Sequence, residues 1–295
     1  MRLDRRRFLA CTGAIVSARV PWSLAGGGEE EKPLVEFAAV ADTHLGRGGE
    51  GPEKLLADAV EEINASPAEF TLFLGDLVDN GAKDEAQYPK WLEAAKGLKK
   101  PFYPIPGNHD PAELFKKYIR AETDYAFDHK GFRFLLFNDS ETTSHDGIVA
   151  PEQLKWLAAQ VDDAAGKKLR VVLCAHIPAH PNKHPDTGWY VRKGGKELET
   201  LLMFKGGDTI VAFLSGHFHC GMRGWSDRGG VHELVLPALA WNGDRRLATA
   251  PGFSGKEHRR GYTQAEVHRK DLQLSYKPLG AHAVGPLVLG LGEGT

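Results

Sequence analysis

The stretch "TIVAFLSGHFHC", Thr209 to Cys220, runs five apolar residues together and then places two histidines one residue apart. The apolar run reads as a buried strand, so His217 and His219 fall just beyond its carboxyl end. The plain alternative is a turn with two solvated imidazoles. The rest of the chain decides between them, because the same grammar recurs four times upstream. "VEFAAVADTH" (Val35–His44) ends on Asp42 and His44, and "EFTLFLGDLVDNG" (Glu69–Gly81) leads to Asp76 and Asp79. "PFYPIPGNHD" (Pro101–Asp110) delivers Asn108 and His109, and "LRVVLCAH" (Leu169–His176) delivers His176.

Between these runs lie amphipathic stretches. "EKLLADAVEEINAS" places Leu55, Leu56, Ala59, Val60 and Ile63 on one helical face. "AQYPKWLEAAKGLKK", entered around Pro89, does the same with Trp91, Leu92, Ala95 and Leu98. The resulting βαβαβ order implies an α/β fold with a largely parallel sheet. "YAFDHKGFRFLLFNDS" reads as a hairpin turning at His129–Gly131, which adds antiparallel strands. "PEQLKWLAAQVDDAAG" and "GKELETLLMFK" read as two further helices, the first with Pro151 in its opening turn. "VHELVLPAL", "YTQAEVHR" and "LQLSYKPL" read as consecutive strands. Residues 34–280 form the expected domain, and residues 281–295 read as a Gly-rich, loosely held tail.

The 295 residues, 42% hydrophobic and 26% charged, are ordinary for a globular chain. The formal charge of −2 carries no basic footprint for nucleic acid. Residues 1–25 stand apart. Arg5-Arg6-Arg7 precede a short small-residue apolar segment that ends in "SLA" before a glycine run. "RRRFLA" resembles a twin-arginine export signal, with Asp4 where Ser or Thr is usual and Ala10 where Lys is common. Arg19 and Pro21 interrupt the apolar segment, which is too short to span a membrane. Cleavage after Ala25 removes five arginines and one aspartate, a net +4, and moves the charge from −2 to −6. Residues 26–33 then read as a linker. The expectation is an exported, periplasmic or extracellular protein with no membrane insertion once cleaved. Cys174 and Cys220 remain after cleavage, enough for one disulfide or for two buried thiols.

Function in open α/β sheets collects outside the carboxyl ends of the strands. Here five such ends carry carboxylates, imidazoles and an amide, the usual ligands of hard to borderline divalent ions. A lone His after a strand is commonly a satisfied turn residue, and "GNHD" alone is an Asx-rich loop. Five coincidences at the same end of a strand argue for one site.

The series D-x-H, G-D-x-x-D, G-N-H-D, H and G-H-x-H resembles the calcineurin-like metallophosphoesterase superfamily, from about Val35 to His219. "GDLVDNG", "PIPGNHD" and "FNDSE" look most like its class III cyclic-nucleotide phosphodiesterase branch. The resemblance implies a four-layer α/β/β/α sandwich of two mixed sheets and two divalent ions, Mn, Fe or Zn. It implies that Asp42, His44, Asp76 and His219 hold one ion, and Asp76, Asn108, His176 and His217 the other. It also implies attack on phosphorus by a hydroxide shared between the ions, with His109 stabilising or protonating the leaving alkoxide. Asp79 resembles the aspartate that orients this histidine; its structural alternative is a helix-start carboxylate. Purple acid phosphatases have a tyrosine at the position of Asp79, and phosphoprotein phosphatases have Arg-Gly at Asn80-Gly81, so neither branch fits.

The loop "HIPAHPNKHPDTGWYVRKGG" offers His180, Lys183, His184 or Arg192 to a substrate phosphate, and Trp189 or Tyr190 as stacking surfaces. A solvated loop explains them equally well. Arg223 and Asn242 are weaker candidates of the same kind. The expected activity is hydrolysis of phosphodiesters, either cyclic nucleotides or phospholipid headgroups. The alternatives are an exported phosphomonoesterase that scavenges phosphate, or a non-catalytic phosphate-ester binding protein on the same scaffold. Substrate-binding residues and oligomeric state are left open.

Overall fold

The structure is a computed structural model that describes residues 32–48, 51–180, 188–243, 253–254 and 257–292. The signal-like segment 1–25 and the candidates Lys183 and His184 lie outside these residues.

The chain begins with β1 (Val35–Val40), α1 (Pro52–Ala65), β2 (Phe70–Leu74), α2 (Gln87–Ala95), β3 (Phe102–Ile105) and the short α3 (Ala112–Tyr118). The hairpin β4 (Tyr125–His129) and β5 (Phe132–Leu136) follows, then β6 (Gly147–Ile148), α4 (Pro151–Gly166) and β7 (Arg170–Cys174). After β8 (Val191–Lys193) and α5 (Gly195–Lys205) come β9 (Ile210–Ser215), β10 (Arg223–Arg228) and β11 (Val231–Val235). The last strands are β12 (Phe253–Ser254), β13 (Gly261–Val267), β14 (Asp271–Pro278) and β15 (Val284–Gly290).

One sheet has six strands in the order β15-β14-β13-β1-β2-β3, and the other seven, β12-β10-β11-β9-β7-β5-β4. Within the first, β1, β2 and β3 are parallel and β13 is antiparallel to β1. Within the second, β5, β7, β9 and β11 are parallel. The mixed α/β sandwich expected from the sequence is therefore the observed fold.

The layers follow from the two-residue alternation of each strand. Phe37, Ala39, Phe70, Leu72, Phe134, Leu136, Val172, Cys174 and Leu214 belong to one core between the sheets. Phe37 and Phe134 meet there edge to face at 5.5 Å. The intervening residues Ala38, Val40 and Phe73 pack with Leu56, Trp91 and Phe115 of α1, α2 and α3. Leu135, Leu173 and Phe213 pack with Leu157 and Val161 of α4 and Leu198 and Leu202 of α5. Each helix presents one apolar stripe; on α1 it is Leu56, Ala59, Val60 and Ile63. Pro151 opens α4, and the Gln153 side chain reaches back to accept the Ala150 N–H at 2.9 Å.

One expectation needs correcting, and two others gain detail. The three late strands divide between the sheets, β11 pairing in the seven-stranded one and β13 and β14 in the other. Residues 284–290 are not a loose tail: β15 pairs antiparallel with β14, which satisfies its backbone although few of its side chains are buried. Cys174 and Cys220 are both buried, the second of the two alternatives left open for them.

Candidate metal centre

The carboxyl ends of β1, β2 and β3 meet those of β7 and β9 at one edge of the sandwich. Backbone hydrogen bonds stitch the loops that follow. Asp42 N donates to Gly75 O at 3.1 Å, Gly216 N to His176 O at 3.0 Å, and Ala240 N to Asp42 O at 3.1 Å. The loops turn sharply, and five of the seven expected ligands occupy the left-handed region: Asp42 (φ 54°), His44 (41°), Asp76 (49°), His217 (74°) and His219 (49°). Each such residue costs on the order of 1–3 kcal/mol and persists only where its surroundings hold it. Phe218, between the two histidines, is buried with Cys220, Trp225 and Val235. His217 and His219 therefore both line a cavity of about 180 Å³ that also meets His44, Asp76, Asn108 and His109.

Asp76 lies at the centre. Its Oδ2 is 3.4 Å from His44 Nε2 and 3.4 Å from His176 Nε2, while its Oδ1 accepts the His109 N–H at 2.9 Å. On the His44 side, His219 Nε2 is 3.2 Å from Asp42 Oδ1 and 3.2 Å from His44 Nε2. On the other side, Asn108 Oδ1 is 3.2 Å from His176 Nε2. Asp42, His44, Asp76 and His219 form one tight group, and Asp76, His176 and His217 a second.

The outer ring nitrogens decide what the inner ones present. His176 Nδ1 donates to Leu74 O at 2.8 Å, His219 Nδ1 to Trp241 O at 2.9 Å, and His217 Nε2 to His145 O at 3.0 Å. A carbonyl only accepts, so each of these nitrogens carries a proton, and in the neutral imidazole the opposite nitrogen offers a lone pair to the site. His44 Nδ1 faces Asp79 Oδ1 at 3.2 Å, and this contact is the chief influence holding the Asp79 carboxyl below its ordinary value. Lone pairs on imidazoles thus face carboxylate and amide oxygens. Such an acceptor cluster requires a cation, and a tethered imidazole is how proteins present metal ligands. The donor set fits two divalent ions.

Charge follows the same geometry. Burial would raise the Asp76 carboxyl, but His176 and the other nearby imidazoles hold it well below its ordinary value. Burial likewise opposes ionisation of Asp42, and His219 more than offsets it. Burial alone would lower His176, yet Asp76 drives it up to about 10. His217, buried beside His176, falls to about 3. One proton therefore occupies a position that an ion would take.

Two buried carboxylates build the loops from behind. Asp110 accepts the N–H groups of Leu77 (2.9 Å), Val78 (3.2 Å) and Gly107 (2.9 Å), tying the loop after β2 to the loop after β3. Asp139 accepts those of His176 and Ile177 at 3.1–3.2 Å. Burial raises both carboxyls to about 7. Glycines permit the close approach: a Cβ on Gly107 would lie 2.3 Å from Asp76 N, and one on Gly75 2.5 Å from His176 Nδ1.

All nine expected residues gather here, with one rearrangement. The Asp79 carboxylate does not orient His109. It faces His44, with Arg47 3.7 Å away, and it is the Asp79 backbone carbonyl that accepts from His109 Nδ1. His109 Nε2, 4.0 Å from Asp76 Oδ2, faces the cavity. Neither the helix-start reading nor the expected orienting role of Asp79 matches this arrangement.

Trp241 and His145 escaped the sequence reading. Trp241 stacks on His219 at 3.9 Å and carries the Arg47 guanidinium at 3.7 Å. His145 accepts from Asn108 Nδ2 through Nδ1 at 3.4 Å, which turns the Asn108 oxygen inward, and stacks on Trp189 at 4.9 Å. Neither follows a strand within a recognisable motif, so no local signal marks them. Of the loop candidates, His180 lies against Asp227 and Trp225, and Arg192 pairs with Asp146. Asn242 ties the Gly221 and Ala238 amides and the Tyr276 hydroxyl together, and Arg223 is buried beside Trp225. A larger cavity of about 940 Å³, behind Trp241 and along α1, is lined by Glu61, Glu62, Arg259 and Arg260 and shows no converging ligand set among the described residues.

Sheet edges that converge on a shared carboxylate in this way define a two-metal hydrolytic centre. Residues 35–221 match the family described as calcineurin-like phosphoesterase, and the chain belongs to that family: it is a metallophosphoesterase. It is 32% identical over 202 residues to a probable glycerophosphodiester phosphodiesterase of Arcobacter nitrofigilis, covering 61% of this chain and 70% of that one. It is 25% identical to a cAMP/cGMP dual specificity phosphodiesterase of Mycobacterium tuberculosis, over 88% and 85% of the two chains. A dimetal phosphatase from Danio rerio shares the fold with a TM-score of 0.70 at 16% identity, over 88% of this chain and all of that one.

Proposed function

We propose that the protein hydrolyses phosphodiesters, with Asp42, His44, Asp76 and His219 holding one ion and Asp76, Asn108, His176 and His217 the other. The observation that carries this reading is Asp76 Oδ2, equidistant at 3.4 Å from the inner nitrogens of both groups. Bound divalent ions supply the positive charge that acidifies a water and polarises the phosphoryl oxygens. Asp76 holds the two halves of the site together through Oδ2 and fixes the His109 backbone through Oδ1. With Nδ1–H committed to the Asp79 carbonyl, His109 in its imidazolium form hands the Nε2 proton to the departing alkoxide and is left neutral. Its side chain is 31% exposed, open enough to exchange that proton with solvent. The diester preference is supported by the names of the two relatives above.

Export through the twin-arginine route is part of the same proposal. It rests on Arg5-Arg6 and the short apolar segment that follows. Replacing both arginines with lysine retains the protein in the cytoplasm if the reading is right; unchanged fractionation contradicts it.

The activity is tested with bis-p-nitrophenyl phosphate against p-nitrophenyl phosphate on Mn-loaded protein. Diester cleavage that Asp76→Ala abolishes supports the proposal. Preference for the monoester moves the protein to a scavenging phosphatase, and no turnover with two ions bound moves it to a binding protein.

A further inference from the structure

The 180 Å³ metal cavity meets a wider cleft of about 590 Å³ beside His109. Arg47 stands where the two join. It lines both, and among the described residues no other lysine or arginine lines either. It lies three residues beyond His44, in the loop after β1, where its backbone N–H donates to the His44 carbonyl at 3.1 Å.

What holds the guanidinium leaves its donors unspent. Its central carbon sits 3.7 Å from the centre of the Trp241 ring, and Trp241 is stacked in turn on His219 at 3.9 Å. Asp79 Oδ1 lies 3.7 Å from Nη1, beyond hydrogen-bond reach. Among the described residues no acceptor takes a hydrogen bond from the Arg47 side chain. Stacking uses the face of a guanidinium, whereas its N–H groups lie in the plane and emerge at the edge. Arg47 is therefore a clamped cation with a free edge. An ion pair this long and half exposed contributes little to stability, so the fold itself has no need of the arrangement.

The reaction does have a need for it. A phosphorus held at the ions puts its charged oxygens into the cavity that Arg47 lines. Paired N–H donors in one plane match two oxygens of such a group. Attack of hydroxide on a phosphodiester monoanion adds a second negative charge around phosphorus. A fixed cation there favours the transition state over the bound substrate.

We propose that Arg47 is a substrate-binding residue of this centre, with the edge of its guanidinium on the charged phosphoryl oxygens and Trp241 and Asp79 holding it in place. The assignment rests on the two-ion phosphodiesterase reading above and adds to it a phosphate ligand supplied by the chain itself.

Inorganic phosphate is the probe, because calorimetry on the Mn-loaded full chain reads its binding whether or not any ester turns over. Arg47→Gln is expected to weaken phosphate binding about 10–100-fold, the range for hydrogen bonds to a charged group. The kcat/KM for bis-p-nitrophenyl phosphate falls by a similar factor, while manganese content and melting temperature keep their wild-type values. Arg47→Lys, which keeps the charge and loses the paired donors, recovers only part of the phosphate affinity. Unchanged phosphate affinity in Arg47→Gln overturns the assignment and leaves the phosphodiesterase reading intact. So does a loss that saturating Mn restores, since Arg47 would then act only through Asp79 on the ion. Wild-type protein that holds two Mn ions, binds no phosphate and cleaves no diester overturns both.

Discussion

Asp79 and His109 are joined through the backbone: the Asp79 carbonyl accepts from His109 Nδ1 at 2.5 Å, while the Asp79 carboxylate turns away to His44. One residue thus supports two functions by two different atoms. The carbonyl survives any substitution, and the carboxylate does not.

Asp79→Ala is therefore expected to weaken the ion on the His44 side by about 10–100-fold, the usual cost of losing the partner of a metal-bound imidazole. Raising the Mn concentration should restore most of the rate. A rate that stays low at saturating Mn would show that the carboxylate acts on His109 after all.

His109→Gln should behave oppositely. Loss of a positioned general acid costs about 10²–10⁴-fold in kcat, and added metal should not rescue it. The defect should be larger for an alkyl diester than for bis-p-nitrophenyl phosphate, whose leaving group needs no proton. Equal defects on both substrates would assign His109 a structural role.

Metal affinity should rise with pH. In the metal-free protein Asp76 holds His176 protonated up to about 10, against the opposing effect of burial. An ion must displace that proton, so the apparent affinity should climb about tenfold per pH unit between pH 6 and 9. The sign for stability is the reverse. A raised imidazole pKa stabilises the metal-free fold below about pH 6.5, its unfolded value, and that contribution is lost as pH rises through about 10. Competition titrations with a chelator and thermal melts with and without Mn check both slopes. A pH-independent affinity would mean that His176 is neutral in the free protein.

Gly75→Ala should damage the centre without touching a ligand. The residue has φ 81°, and an added Cβ would sit 2.5 Å from His176 Nδ1. Overpacking and a left-handed alanine each cost on the order of 1–3 kcal/mol. Lower melting temperature and reduced metal content are expected together; a normal melt with full metal content would contradict the packing argument.

The sheet strands and the ligands were the legible part of the sequence, for a shared reason. Phe70–Leu74 and Ile210–Ser215 are buried on both faces, so they stand out as apolar runs. A polar residue just after such a run is conspicuous, which is how Asp76 and His217 announce themselves. β10 and β15 were not legible, because "RGWSDR" and "VGPLVLG" are held by ladder hydrogen bonds to β11 and β14 that leave no periodicity in their own composition. His145 was hidden because its backbone carbonyl meets His217, 72 residues away. Trp241 was hidden because it acts through a ring face and a carbonyl on His219. The Asp79 carboxylate was assigned to the wrong histidine because spacing alone leaves open which of two neighbours it faces.

The central claim is that two ions flank Asp76. Crystals of the protein grown with Mn, measured for anomalous scattering, test it most directly. The account predicts two peaks roughly 3.5–4 Å apart, one beside Asp42, His44 and His219 and one beside Asn108, His176 and His217. A single peak, or two peaks that do not share Asp76, would contradict it.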